Sequence, residues 1–333
     1  MFWRAFRGNR SDLPRQRSPH AMAQPYIPTP ELDMELARLG LTPRPKASLH
    51  LLFAAPELRS RRRGVTSHVC PEPLPTGSLL RVSEHVLVVS PELCFAQLAE
   101  TMGPGRLILA GTELCGTYAL IPAEDPADPD RPASVSAPES PTPAIMRERT
   151  QLTTSKALRA LAADLPRRPG AERARRAGVH LFDGAASPME AKVALLLALP
   201  QRLGGLGLPR PTLNHPIILG TEARKAYPHR TCRCDLYWPE TQVDLEYHGA
   251  DAHDGVEAYT KDVARLTALA VEGIDVIPIT FAQVADPEVF LAFAFTLAKR
   301  LGHPLRLRNA NFVENHAVLR EELRFTAQGD SAE

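Results

Sequence analysis

Long apolar runs are missing from the 333 residues, and nothing approaches the roughly 20 consecutive apolar positions a bilayer-spanning helix needs. No membrane partner is therefore expected. Cysteine is scarce, with five residues (Cys70, Cys94, Cys115, Cys232, Cys234) in irregular spacing. An odd, scattered set excludes a disulfide framework and points to free thiols in a reducing cytoplasm. Charge imbalance is missing too, because 39 Lys and Arg against 38 Asp and Glu leave a formal +1. Any affinity for nucleic acid must then come from local basic patches rather than from net charge. Internal repeats and organic-cofactor motifs are absent as well.

What is present, 44% hydrophobic and 23% charged residues over this length, suffices for a sizeable core and suggests two globular parts. The opening "MFWRAFRGNRSDLPRQR" holds five arginines and one acid, without the apolar stretch of a secretory signal. It is expected to belong to a basic, mostly disordered tail over 1–44, with Met22 or Met34 as alternative starts; a transit peptide is the competing reading. Between Pro122 and Pro143, proline, acid, serine and alanine dominate, a composition that cannot bury enough surface to fold. A linker is expected over 121–147, dividing a small α/β or α+β module (45–120) from a C-terminal domain (148–310) and tail (311–333). In the first module "ASLHLLFAA" and "EHVLVVS" read as strands, and "SPELCFAQLAETMG" as a helix capped by Ser90 with Pro91 in its first turn. The run "RSRRR" at 59–63 could contact phosphate, but it reads first as a solvated loop.

In the C-terminal domain "TTSKALRALAADL", "GAERARRAGVH" and "SPMEAKVALLLALP" read as helices, the last beginning at Ser187. "GGLGLPRPTLNHPI" reads as a loop leading to a hairpin, "RCDLYWPETQVDLEYH". A long helix follows, "GVEAYTKDVARLTALAVEGI", with Val263, Leu266, Leu269 and Ala270 on one face, and then the β-branched strand "DVIPIT". The crossover from the hairpin's second strand to "DVIPIT" is long enough for a parallel pair.

Folding the hairpin about the Glu240–Thr241 bond sets Asp235 opposite Glu246, Tyr237 opposite Asp244 and Trp238 opposite Val243. Alternation then puts Asp235, Tyr237, Asp244, Glu246 and His248 on one face, and Leu236, Trp238, Val243, Leu245 and Tyr247 on the other. An acidic face can simply meet water. Like charges across a ladder cost up to roughly 1 kcal/mol, however, and a cation between Asp235 and Glu246 would relieve them. A hard divalent ion held by carboxylates polarises a phosphate and acidifies a bound water, the chemistry of phosphodiester cleavage. His229, Cys232 and Cys234 lack the spacing of a structural zinc site.

An acid on one strand, an acid near the end of its hairpin partner and a preceding helix carrying Glu190 resemble the PD-(D/E)XK, restriction-endonuclease-like nucleases. Within them "EYHGADAH", with His248, Gly249 and His253, is similar to the very-short-patch repair endonucleases and related bacterial endonuclease-domain proteins. "KDVARLTALAVEGIDVIPIT" resembles their Asp-x-x-Arg-x-x-x-Leu helix and buried strand, filled by Asp262, Arg265 and Leu269. The likeness spans about residues 185 to 285. It implies an α/β fold with a core of helix, hairpin, helix and strand in a mixed sheet, and a Mg²⁺- or Mn²⁺-dependent endodeoxyribonuclease acting in repair or phage defence. It implies Asp235, Glu246 and Glu190 as metal ligands, His253 as general base, and Asp262 and Arg265 as a supporting ion pair. Glu190 also fits a capping box with Ser187. His248 stands where the superfamily has lysine, and Lys261 is the candidate substitute. Arg173, Arg175, Arg176 and Arg210 are candidate phosphate contacts, DNA being the expected partner. The first module resembles abortive-infection antitoxin-like regulators, which implies a protein partner there and, as an alternative function, DNA binding or regulation without catalysis.

Overall fold

A computed structural model describes residues 3, 6, 10–15, 29–39, 41, 48–70, 73–122, 144–166, 170–249 and 255–325. In chain order these form α1 (Pro30–Arg38), β1 (Leu49–Phe53), β2 (Val65–Val69), β3 (Leu79–Arg81), β4 (Leu87–Val89), α2 (Pro91–Leu98), α3 (Pro104–Leu114) and β5 (Tyr118–Pro122). Then follow β6 (Ala144–Glu148), α4 (Ser155–Asp164), α5 (Ala171–Gly178), α6 (Pro188–Ala198), β7 (Thr212–Ile218), α7 (Ala223–Ala226), β8 (Thr231–Trp238) and β9 (Val243–His248). The chain ends with α8 (Gly255–Val271), β10 (Asp275–Thr280), α9 (Phe281–Ala285), α10 (Pro287–Arg300) and α11 (Phe312–Glu322). The class is α/β, with short mixed sheets between helices. No helix among the described residues is long and apolar enough to cross a membrane.

Two compact units share the chain, one of residues 1–101 with 119–176, the other of 102–118 with 177–333. The proline-rich segment, whose residues 123–143 lie outside the described ones, is therefore not a simple divider. Residues 148–176, expected in the C-terminal domain, belong to the first unit, where α4 packs against α2.

In the first unit β1 and β2 run parallel, β3 and β4 antiparallel. Ser90 accepts the Leu93 N–H and starts α2, as Ser-Pro predicts. The basic start is not wholly a disordered tail. Trp3 is buried and donates from Nε1 to the Val89 carbonyl, while Arg10 forms a buried pair with Glu92 at 2.6 Å. The "RSRRR" loop is exposed, with Arg62 paired to Asp33 at 2.9 Å.

The second unit is built on a four-stranded sheet in the order β10-β9-β8-β7. β9 and β10 are parallel, from Asp275 beside Val243 to Thr280 beside His248, as the crossover predicts. The hairpin register is also the predicted one, with Tyr237 opposite Asp244 and Trp238 opposite Val243. "TLNHPII", expected to be loop, is instead the edge strand β7, antiparallel to β8. An edge accommodates Pro216 because one side of the strand needs no ladder donor.

One face of the sheet carries a core of Leu219, Cys232, Cys234, Tyr237, Ala268, Leu269 and Ile274. Thus α8 turns Ala268 and Leu269 inward, whereas Val263 and Ala270, expected on its apolar face, are exposed. α6 is buried from Val193 to Ala198 and packs on β8 and α3. The expected C-terminal tail contains α11, which closes on the turn after α6. His316 Nδ1 meets the Gly204 carbonyl at 2.7 Å, and buried Arg320 donates to the carbonyls of Val284 and Ala285. No disulfide is formed among the described residues.

Candidate active site

β8 and β9 form a fork. Their ladder holds for Leu236↔Leu245, Tyr237↔Asp244 and Trp238↔Val243 and then stops, although both strands continue. Side chains bridge the gap. Asp235 Oδ2 accepts the Tyr247 N–H at 3.0 Å, taking the place of a strand carbonyl. Arg265, from α8, donates to the Arg233 carbonyl at 3.3 Å and grips Glu246 with two bonds, at 2.7 and 2.8 Å.

The alternating faces fail at this place. Cys232, Cys234 and Tyr237 share one core cluster, which strict alternation forbids. The step falls at Asp235, opposite Asn214, whose φ of 50° is left-handed. Asp235 consequently turns along the sheet toward β9, while Glu246 is held by Arg265 of α8. The acidic face is largely covered: Asp244 is 0% exposed and Glu246 3%, while Asp235 and His248 are half-buried, and Glu190 on α6 is 7% exposed.

Glu190 reaches the fork from the first turn of α6. Ser187 caps that helix by accepting the Glu190 N–H at 3.1 Å. The reciprocal half of a capping box is not made with Ser187. Glu190 Oε2 instead accepts the Ala186 N–H at 2.9 Å and the Asn214 amide. Its carboxylate thus faces β7 as well as its own helix end.

The three acids feel one another. Burial, then the charges of Glu246 and Glu190, push Asp235 up to about 8, against the Tyr247 N–H and Arg265. Burial raises Glu190 too, with Glu246 adding to it and the hydrogen bonds opposing. Asp244, absent from the candidates read from sequence, is pushed up to about 9, first by burial and next by Glu246. Its carboxyl lies against the Glu246 carboxyl and the Cys234 thiol, the one raising its pKa and the other lowering it. Arg265 is held charged by its bonds to Glu246. Burial raises the thiols of Cys232 and Cys234.

The remaining candidates divide. His248 is half-buried at the end of β9 beside Thr280. Lys261 is exposed, one turn before Arg265 on the same side of α8. Asp262 is exposed, and no ion pair joins it to Arg265 among the described residues, since Glu246 takes that guanidinium. His253 lies outside the described residues. Cys232 and Cys234 are core residues, while His229 is exposed against the Tyr227 ring.

Three of the four arginines expected at phosphate are tied to backbone carbonyls. Arg173 donates to Glu100 at 3.4 Å, Arg175 to Ala162 at 3.0 Å, and Arg210 to His180 at 3.4 Å while lying 4.0 Å over the Phe182 ring. Arg176 pairs with Glu172 one turn away at 3.6 Å.

The donor set at the fork is oxygen, the chemistry hard divalent cations prefer. As the side chains stand, no group of three or more His, Cys, Asp or Glu among the described residues is gathered to hold a metal, and Arg265 supplies the positive charge at Glu246. Asn214 and the Arg265–Glu246 bond are what the sequence reading missed. No short-range pattern announces either one.

No family model matches the chain, nor does any curated protein or solved structure show significant similarity to it.

Proposed function

We propose that the second unit is a restriction-endonuclease-like domain that hydrolyses DNA phosphodiester bonds with a divalent metal, Mg²⁺ or Mn²⁺, acting in the cytoplasm in repair or phage defence. One observation carries the reading: the charges of Glu246 and Glu190 reach Asp235 where two strands fork, and this repulsion favours a proton or a cation. The order of α6, the β8–β9 hairpin, α8 and β10, with β9 and β10 parallel, supports it as the arrangement the resemblance implies.

Asp235 is the principal ligand in this reading, because its Oδ2 is fixed by the Tyr247 N–H and its surroundings already demand a positive charge. Glu190 is positioned from α6 and Glu246 from β9, the latter once Arg265 yields one of its two bonds. When bound, the metal polarises the scissile phosphate and lowers the pKa of its water. His248 is the described side chain placed to move a proton at that end of β9, and Lys261 is the exposed cation one turn from Arg265.

A second reading has its own observation. Glu246 is 4% exposed in its side chain and already neutralised by Arg265, an arrangement that is complete without metal. It favours a protein that binds DNA or regulates while keeping a nuclease fold. Plasmid and single-stranded DNA incubated with Mg²⁺, Mn²⁺ or EDTA, beside calorimetric Mg²⁺ titration, decide between the two. The nuclease reading expects metal-dependent cutting and a binding heat, both lost in Asp235→Asn. DNA binding without cutting or heat leaves the second reading, and cutting that survives Asp235→Asn places the site elsewhere.

A further inference from the structure

Of the arginines expected to meet phosphate, Arg175 and Arg210 are bonded to the protein's own backbone and Arg173 and Arg176 are exposed, and a further basic segment runs into the fork. The connection from β7 to β8 and the start of β8 carry Arg224, Lys225, Arg230 and Arg233, all exposed. Two carboxylates stand against these four cations. Glu222 pairs with Lys225 at 2.6 Å, and Glu272, at the end of α8, accepts the Gly220 N–H at 2.6 Å. Arg224 donates to the Gly220 carbonyl at 3.3 Å, and the His229 ring rests on Tyr227 at 4.2 Å. Arg230 and Arg233 pair with no carboxylate among the described residues, so their positive charge faces outward.

Position gives this charge a use. The register that sets Leu236 against Leu245 would, if continued, bring Arg233 opposite His248, at the open end of the fork. Arg233 is two residues from Asp235, and its carbonyl accepts a bond from the same guanidinium that holds Glu246. Backbone neutralisation by Lys and Arg supplies most non-specific affinity for nucleic acid. A polyanion drawn to the outer side of β8 at this point would lie at the lip of the acid cluster, where the acids alone would repel it.

We infer that the β7–β8 segment is the phosphate-docking surface of this unit, with Arg230 and Arg233 holding a DNA backbone at the mouth of the fork. The inference rests on the nuclease reading for its purpose, but DNA binding tests it separately.

DNA affinity of the full chain is measured by anisotropy in EDTA, in an Asp235→Asn background, over a salt series. Arg230→Ala with Arg233→Ala is expected to weaken binding at least about ten-fold and to reduce the slope of log K against log salt by about two, one per lost phosphate contact. Arg61→Ala with Arg63→Ala, the same charge change at exposed positions of the first unit, is expected to leave both unchanged. Circular dichroism confirms that each variant is folded. Unaltered affinity and slope in the Arg230/Arg233 variant, or an equal fall in the Arg61/Arg63 variant, overturns the inference. If binding needs Arg230 and Arg233 but no metal-dependent cutting occurs, the nuclease reading fails and the docking surface stands. Cutting at the unmodified rate by the Arg230/Arg233 variant, with Asp235 intact, overturns the docking surface and leaves the nuclease reading in place.

Discussion

A carboxyl group shut off from solvent beside another carboxyl group, with at most a weak thiol donor, has one inexpensive state, the protonated one. Asp244 is in that position, fully buried beside Glu246 and the Cys234 thiol, and is pushed from an ordinary 3.8 up to about 9. Between about pH 4 and pH 9 the folded chain keeps a proton that the unfolded chain releases. This group's contribution to stability is therefore complete below about pH 4 and is lost as pH rises toward 9. Asp244→Asn keeps the shape and removes the titration. Thermal melts in EDTA should show the variant gaining on the original protein from pH 5 to pH 9, with the difference shrinking at the acid end. Parallel melting curves across that range would refute the assignment of a buried proton. Sequence alternation placed Asp244 on the acidic face, but it could not tell a wet face from a buried one.

At the scale of elements, two helices deliver charge to one fork, and each delivery can be broken. α6 presents Glu190 from a first turn capped by Ser187. Ser187→Ala should cost about 1 kcal/mol in urea unfolding, the usual loss of such a cap. α8 presents Arg265 to a Glu246 carboxylate that is 4% exposed. Arg265→Ala strands that charge and should cost about 3 kcal/mol, and adding Glu246→Gln should recover much of the loss. Additive losses in the double variant would mean that the pair is not a coupled unit. The cap was legible from Ser187-Pro188, because it is a local pattern. The Arg265–Glu246 bond spans 19 residues and depends on how a helix lies over a sheet. The motif spacing instead paired Arg265 with Asp262, its helical neighbour.

For the molecule as a whole, the ends of the second unit are held by backbone approach. Gly204 has φ +87°, and a Cβ there would meet the Asn315 carbonyl oxygen of α11 at 2.2 Å. Gly204→Ala must strain the turn and displace the helix, so a loss of about 2 kcal/mol or more is expected in thermal or urea unfolding. A neutral result would mean that α11 adjusts freely and is the peripheral tail its sequence position suggests. The same scale governs the unit boundaries. A proline-rich composition marks where chain cannot form a core, but it does not say which core the flanking helices join. α4 joins α2 in the first unit because its buried Leu158, Leu161 and Ala162 match a surface made elsewhere in the chain.

The sequence by itself determined the α/β class, the hairpin register, the parallel crossover to β10 and the helix starts at Ser90 and Ser187. Each follows from residues a few positions apart, through period, turn and cap. Tertiary structure alone decided that "TLNHPII" is a strand, that Asn214 adopts a left-handed backbone, and that Asp235 turns into the gap between β8 and β9. It also decided that Arg265 neutralises Glu246 while Arg175 and Arg210, expected at phosphate, bond to backbone carbonyls. These outcomes are set by which surfaces pack against each other, and a buried charge takes its partner from whatever element that packing brings within reach.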